Sequence, residues 1–202
     1  MSEPDPAWSP LSTAMRAGLV SGGFVGVLWL IEVLDRILPG DFESHGVEPR
    51  TDEGLQGVVF APLLHGDWDH LVSNSLPLLM LGFLLALSGL RTFAVTTAII
   101  WVVGGIGVWL IAGTNTIHIG ASGVVFGWLV FLIVRGVFAK NLRQIVLGVV
   151  MFMAYGTILL GVLPGEPGVS WEGHLFGAIG GAIAAWFARD DAEPAAMGVV
   201  TG

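Results

Sequence analysis

An all-α membrane protein, folded as a six-transmembrane-helix bundle, is the fold class this sequence predicts, and three observations carry the prediction. The chain is 54% hydrophobic and only 12% charged, about half the charged share of an ordinary soluble domain. Its mean hydropathy is +0.80. Apolar runs recur along its length, and one of them, Phe93 to Ala112, continues for twenty residues without a charge, enough to cross a hydrocarbon core of about 30 Å. A chain of 202 residues has room for about six such spans with short connections, and for no sizeable soluble domain. The expected organisation is a disordered cytoplasmic tail (1–13), one membrane domain (14–189) and a flexible C-terminal tail (190–202).

Taken in order, Met1 to Leu11 is polar, acidic and proline-rich. The first apolar run, Ala17 to Ile31, is preceded by Glu3 and Asp5 and followed by no small-residue cleavage site, so it reads as an uncleaved span and not as a signal peptide. Glu32 and Arg36 follow at i, i+4, the favourable order for a helical ion pair. The longest connection, Pro39 to Asp69, is strongly acidic and contains the apolar piece Gly57 to Leu64, too short to span and read as interfacial or re-entrant. The second span runs from His70 to Leu87, with a kink expected near Asn74 because Pro77 removes a bond to the Ser73 carbonyl. Phe93 to Ala112 is the third span, Gly120 to Val134 the fourth, Ile145 to Leu163 the fifth and His174 to Ala188 the sixth.

Arg16, Arg91, Arg135, Lys140, Arg143 and Arg189 fall on one side of this assignment, and only Arg36 and Arg50 on the other. The positive-inside rule then puts both termini in the cytoplasm, and the expected location is a prokaryotic plasma membrane. The absence of cysteine excludes disulfides, thiolate metal sites and cysteine nucleophiles. A net charge of −8 gives no basic patch for nucleic acid, and no nucleic-acid partner is expected. No internal repeat of the transporter kind is present.

The chemistry concentrates in three stretches. The first, from His118 to Gly127, sets Ser122 between Gly120 and Gly123 at the head of an apolar run; the second is His70 to Asn74; the third is Gly173 to Gly177, with His174. Counted outward from Arg135 at the inner boundary, the thirteen residues Ser122 to Val134 climb about 20 Å, leaving Ser122 about 10 Å below the outer surface. From Arg189, the same count puts His174 at a similar depth, and His70 and Asn74 share one face of the second span. Polar side chains at that level are costly unless they face the bundle interior or a water-filled cavity.

These residues resemble the rhomboid family of intramembrane serine proteases. The likeness rests on Gly120-Ala121-Ser122-Gly123 opening span four, Gly173-His174 opening span six, and His65 with His70-x-x-x-Asn74 opening span two, and it extends over nearly the whole chain. It implies a rhomboid-like bundle in which Ser122 is the nucleophile and His174 its general base, without an acid. It further implies an oxyanion hole made by His70, Asn74 and the backbone N–H of Ser122. Gly177 and Gly181 match the family's small-residue seam toward span four. Phe126 stands where an aromatic residue, frequently tyrosine, stacks on the catalytic histidine. Pro49-Arg50 stands in place of the family's Trp-Arg pair in the first outer loop.

The residues support that chemistry independently. A serine hydroxyl needs an adjacent base, His174 is the histidine on another helix at the matching depth, and free N–H groups at the start of span four favour a developing oxyanion. Glu172, two residues before His174, reads as an exposed boundary charge. No His-Glu-x-x-His, no acidic pair on facing spans and no complete metal-ligand set around His65, His70 and His118 is present. Neither metal nor other cofactor is expected. The expected partners are membrane lipid and proteins with transmembrane helices, cleaved as substrates. The rivals are a catalytically silent rhomboid-like protein that binds such helices, opposed by the intact serine and histidine, and a small transporter, opposed by the missing repeat and buried acid.

Overall fold

The computed structural model describes residues 10–165 and 168–191. Among them are seven α-helices: α1 (Pro10–Ile37), α2 (Asp52–Phe60), α3 (Trp68–Ala86), α4 (Leu90–Ile111), α5 (Ser122–Phe138), α6 (Leu142–Tyr155) and α7 (Trp171–Phe187). A 3-10 segment, Gly156–Val162, continues α6. There is no strand among these residues, only an isolated antiparallel bridge between Val47 and His118. Most of the two expected tails, 1–9 and 192–202, lies outside the described residues. Where the tail expectations meet described residues, α1 has begun at Pro10 and a short 3-10 turn closes at Asp191.

Four stretches are long and apolar enough to cross a membrane: Ser12–Ile37, Trp68–Ala86, Leu90–Ile111 and Leu142–Val162, with Ser122–Phe138 a shorter apolar helix. The outward surface agrees with that character. Met153 is 79% exposed and Leu142 74%, an arrangement that suits lipid and not water. α1 outlasts its apolar run because Arg36 bonds Glu32 through Nε and Nη2, at 2.9 and 2.7 Å, and carries the helix to Ile37.

Local signals start the helices. Thr51 caps α2 by accepting from the Gly54 N–H, Asp67 caps α3 from His70, Asn141 caps α6 from Gln144, and Ser170 caps α7 from Gly173, each satisfying a donor that a helix start leaves free. α3 runs through Pro77 as one helix.

The loop between α1 and α2 is pinned to the end of α4. Arg50, with φ of 61°, donates to the carbonyls of Leu110 and Ala112 at 3.0 and 2.7 Å, and the Trp109 indole donates to the Thr51 carbonyl. A guanidinium fork thus takes the carbonyls that the end of α4 leaves unpaired.

The core sits where α7 packs against both α4 and α5, with α6 on the far side of α5 and α1 against α3. Trp128, Phe131 and Leu129 of α5 are fully buried, and the Trp128 indole donates to Thr97 Oγ1 at 3.0 Å. α5 and α7 meet along small residues. A Cβ placed on Gly177 would lie 2.1 Å from the Gly123 carbonyl oxygen, and one on Gly181 2.1 Å from that of Gly127. No side chain fits there, so Gly181→Ala should push α7 away from α5. Its thermal midpoint should fall by several degrees; an unchanged midpoint would place the close approach elsewhere.

Candidate active site

α5 begins at Ser122 because the preceding Gly120 takes φ of 110°, a region that side chains with a Cβ rarely adopt. Gly120 also leaves room for the His70 ring of α3: a Cβ there would sit 2.6 Å from its Nε2. Its N–H donates to the Ala61 carbonyl at 2.9 Å. Ser122 is thus held at the first position of a helix, where backbone N–H groups have no intrahelical acceptor, beside the His70 ring.

His174 lies one turn into α7, and its two ring nitrogens have different partners. Nε2 is 2.8 Å from Ser122 Oγ, and Nδ1 is 2.9 Å from the carbonyl oxygen of Gly161. A carbonyl only accepts, so Nδ1 carries the proton and Nε2 is the acceptor for the serine hydroxyl. That is the tautomer in which an imidazole removes a proton from serine. Phe126 stacks on the ring, centroids 4.0 Å apart and planes within 6°, as the family likeness implied.

Gly161 was not singled out from the sequence. Its carbonyl is supplied by the tightening of α6 into its 3-10 continuation. A Cβ at this position would lie 2.9 Å from Phe126 Cζ and 3.2 Å from His174 Nδ1. The only sequence signal was a glycine inside an otherwise apolar run.

Ser122, His174, His70, Ser73, Asp67 and Gly66 line one cavity of about 660 Å³ with the segments Thr116–Ile119 and Gly168–Ser170. Asn74 does not line it. It is buried, and its Nδ2 donates to the His70 carbonyl at 3.1 Å; one amide hydrogen remains after that bond. His65 lies behind His70, with ring centroids 4.9 Å apart, and supports that ring without reaching the cavity. Gly123 and Gly177 face each other below the dyad, and Gly127 and Gly181 below them.

Glu172 corrects an expectation. It is buried, 9% exposed, because the helix starts at Trp171 and so draws Glu172 into its first turn, where a carboxylate is favoured by the helix dipole. Its charge acts on His118, opposing the burial that lowers the His118 pKa. Among the described residues, no group of three or more His, Cys, Asp or Glu is placed to hold a metal ion.

A model of the rhomboid domain matches residues 52–190. The chain belongs to the rhomboid family. Uncharacterized proteins of Mycobacterium tuberculosis and Mycobacterium bovis are 46% identical to it over 194 residues, covering 90% of this chain and 81% of each relative. One from Mycobacterium leprae is 44% identical over 180 residues, covering 85% of this chain and 71% of its own length. No solved structure matches.

In this rhomboid, His65 also carries a pH dependence. Burial, first, and the neighbouring His70 ring lower its pKa from 6.5 to about 4, against the opposing influence of the Leu63 backbone and Asp67. Between those values the folded chain binds fewer protons than the unfolded chain, so stability is full above about 6.5 and falls with acidification, by roughly 3 kcal/mol in all. The His65→Phe variant should lose less of its thermal midpoint than the wild type between about pH 6.5 and 4. Equal losses in the two proteins would remove His65 from the acid response.

Proposed function

We propose that this rhomboid is an intramembrane serine endopeptidase that cleaves peptide bonds in or next to the transmembrane helices of other membrane proteins. The observation that carries the reading is the ordered chain from the Gly161 carbonyl through both nitrogens of His174 to Ser122 Oγ. Ser122 attacks the substrate carbonyl carbon as His174 Nε2 takes its proton. His174 then returns that proton to the leaving amine, and water hydrolyses the acyl-enzyme by the same base. The oxyanion is assigned to the Ser122 backbone N–H, a ring N–H of His70 and the remaining amide hydrogen of Asn74, the last by a turn of that side chain toward the cavity, which it does not line at rest. The cavity of about 660 Å³ supplies water, and the apolar exterior supports delivery of the substrate from the bilayer.

The reading includes six spans, α2 lying at the interface as a re-entrant piece, and both termini in the cytoplasm of a prokaryotic plasma membrane. The mycobacterial relatives and the basic-residue asymmetry support it. α5 and α7, at seventeen residues each, rise about 25 Å against a core of about 30 Å. Their short length supports a dyad sunk below the outer surface. Substrates are single-span proteins cut near their outer boundary, where small and helix-breaking residues let the strand unwind.

Purified protein should cleave a labelled single-span membrane protein of this kind and react at Ser122 with a fluorophosphonate. Ser122→Ala and His174→Ala should abolish cleavage while the protein still inserts and melts normally. Asn74→Ala should lower turnover by about 10² to 10³ and still label slowly. Near wild-type cleavage by either dyad variant would refute the mechanism, and a silent wild type would favour the helix-binding alternative. For the topology, Ser2→Cys and Ser44→Cys, introduced singly into this cysteine-free chain, should label from opposite sides with an impermeant thiol reagent. Labelling from one side would overturn it.

A further inference from the structure

The segments that bear Ser122 and His174 are joined a second time, four residues earlier on each, with the side chains exchanged. There His118 leads into α5 and Ser170 opens α7, and His118 Nδ1 is 2.7 Å from Ser170 Oγ.

The hydrogens of this second contact can be assigned one by one. Thr116 Oγ1 lies 2.6 Å from the Gly113 carbonyl, so its single O–H donates there. Its 2.9 Å contact with His118 Nε2 must then be donated by the ring, which places the His118 proton on Nε2 and leaves Nδ1 bare. Ser170 Oγ accepts from the Gly173 N–H at 3.2 Å and gives its own O–H to Nδ1. The two imidazoles therefore hold opposite tautomers. With its oxygen engaged as a helix cap and its proton tied to an imidazole already donating elsewhere, Ser170 is placed as a tether and not as a second nucleophile.

The far end of that tether is rigid. His118 exchanges both backbone bonds with Val47, N–H to O at 3.0 and 2.9 Å, and Gly120 is bonded to Ala61. The His174 N–H closes the first turn of α7 onto the Ser170 carbonyl at 3.2 Å, so a shift of Ser170 carries His174 with it. Ser122, His174, His118 and Ser170 all line the same cavity.

We propose that His118 is a positioning residue for the dyad. Its bond to Ser170 sets the start of α7 against the loop before α5, and so keeps His174 Nε2 at bonding distance from Ser122. This rests on the dyad reading above.

The test uses the full chain and a fluorophosphonate, whose concentration dependence separates the maximal labelling rate from the apparent binding constant. His118→Phe keeps a flat ring and loses both bonds. Ser170→Gly loses the hydroxyl with little cost to the cap, since glycine is itself tolerated there, and Ser170→Thr retains the hydroxyl. A displacement of about 1 Å costs up to about 10² in rate. The maximal labelling rates of His118→Phe and Ser170→Gly should therefore fall about tenfold or more, with the binding constant within about twofold. Ser170→Thr should recover most of the rate, and the double variant should be no slower than the slower single variant. Wild-type rates in Ser170→Gly, equal loss in Thr and Gly, or additive losses would overturn the proposal. The Ser170 pair decides it should His118→Phe not fold. Failure of wild-type labelling, judged against Ser122→Ala, is the separate signature that the dyad reading itself has failed, and the positioning role falls with it.

Discussion

The backbone contact between α5 and α7 is the constraint on which the rest of this structure depends. Gly177 and Gly181 bring α7 so near that added methyl groups would lie 2.1 Å from the carbonyls of Gly123 and Gly127. Two helices carrying ordinary side chains stand about 8–10 Å apart. Small residues permit less, and in a bilayer, where apolar side chains gain little by leaving lipid, this packing is itself a main source of association. The 2.8 Å separation of Ser122 Oγ and His174 Nε2 requires that proximity, because both side chains are short and both lie at the head of their helices.

At this depth an imidazole has to be oriented without a charge. A carboxylate there would be expensive to bury. A backbone carbonyl carries only a partial charge and is already available where the end of α6 tightens toward the 3-10 form. The Gly161 carbonyl fixes the tautomer of His174 as an acid would, and the Phe126 ring fixes the tilt. Gly161 is required on the same steric ground as the seam glycines, since a side chain there would meet both rings.

Much of the bundle was legible in the sequence. The apolar runs located α3, α4, α5 and α7 to within about four residues, whereas α1 extends well beyond Ala17 to Ile31 at both ends; counting from Arg135 and Arg189 brought Ser122 and His174 to a common level because helix rise is constant. Gly177, Gly181 and Phe126 lie where the resemblance implied. The misses share a cause: they are contacts made by backbone groups or by loops, which leave no periodic trace. Gly161 acts through its carbonyl, while Ser170 and Asp67 act as caps, and Asp67 was counted only as one more acidic residue of a loop. Gly54 and Gly57 allow the first loop to fold on Glu48 and Gly46, and nothing in their spacing announced it. Glu172 was misjudged because placing the helix start at His174 put it outside α7.

Three charged residues near the site share one habit, which also bears on why the proposed chemistry is left to neutral groups. Arg36 bonds Glu32 and donates to the Gly66 carbonyl at 2.9 Å, just before α3; Arg50 takes two carbonyls at the end of α4; Asp67 accepts from the His70 N–H at 2.7 Å. Each of the three bonds a backbone group at or beside a helix end, and such groups are costly to leave unpaired in a low-dielectric setting. These ionic side chains thus hold the beginning of α3 and the end of α4 in place, and the cavity nearby presents serine and histidine side chains beside Asp67 to whatever enters it. In the mechanism proposed above, the Ser122–His174 pair is neutral at rest and would gain charge only as the reaction proceeds, when an oxyanion and an imidazolium form together within a few ångströms and stabilise one another most strongly where water is scarce.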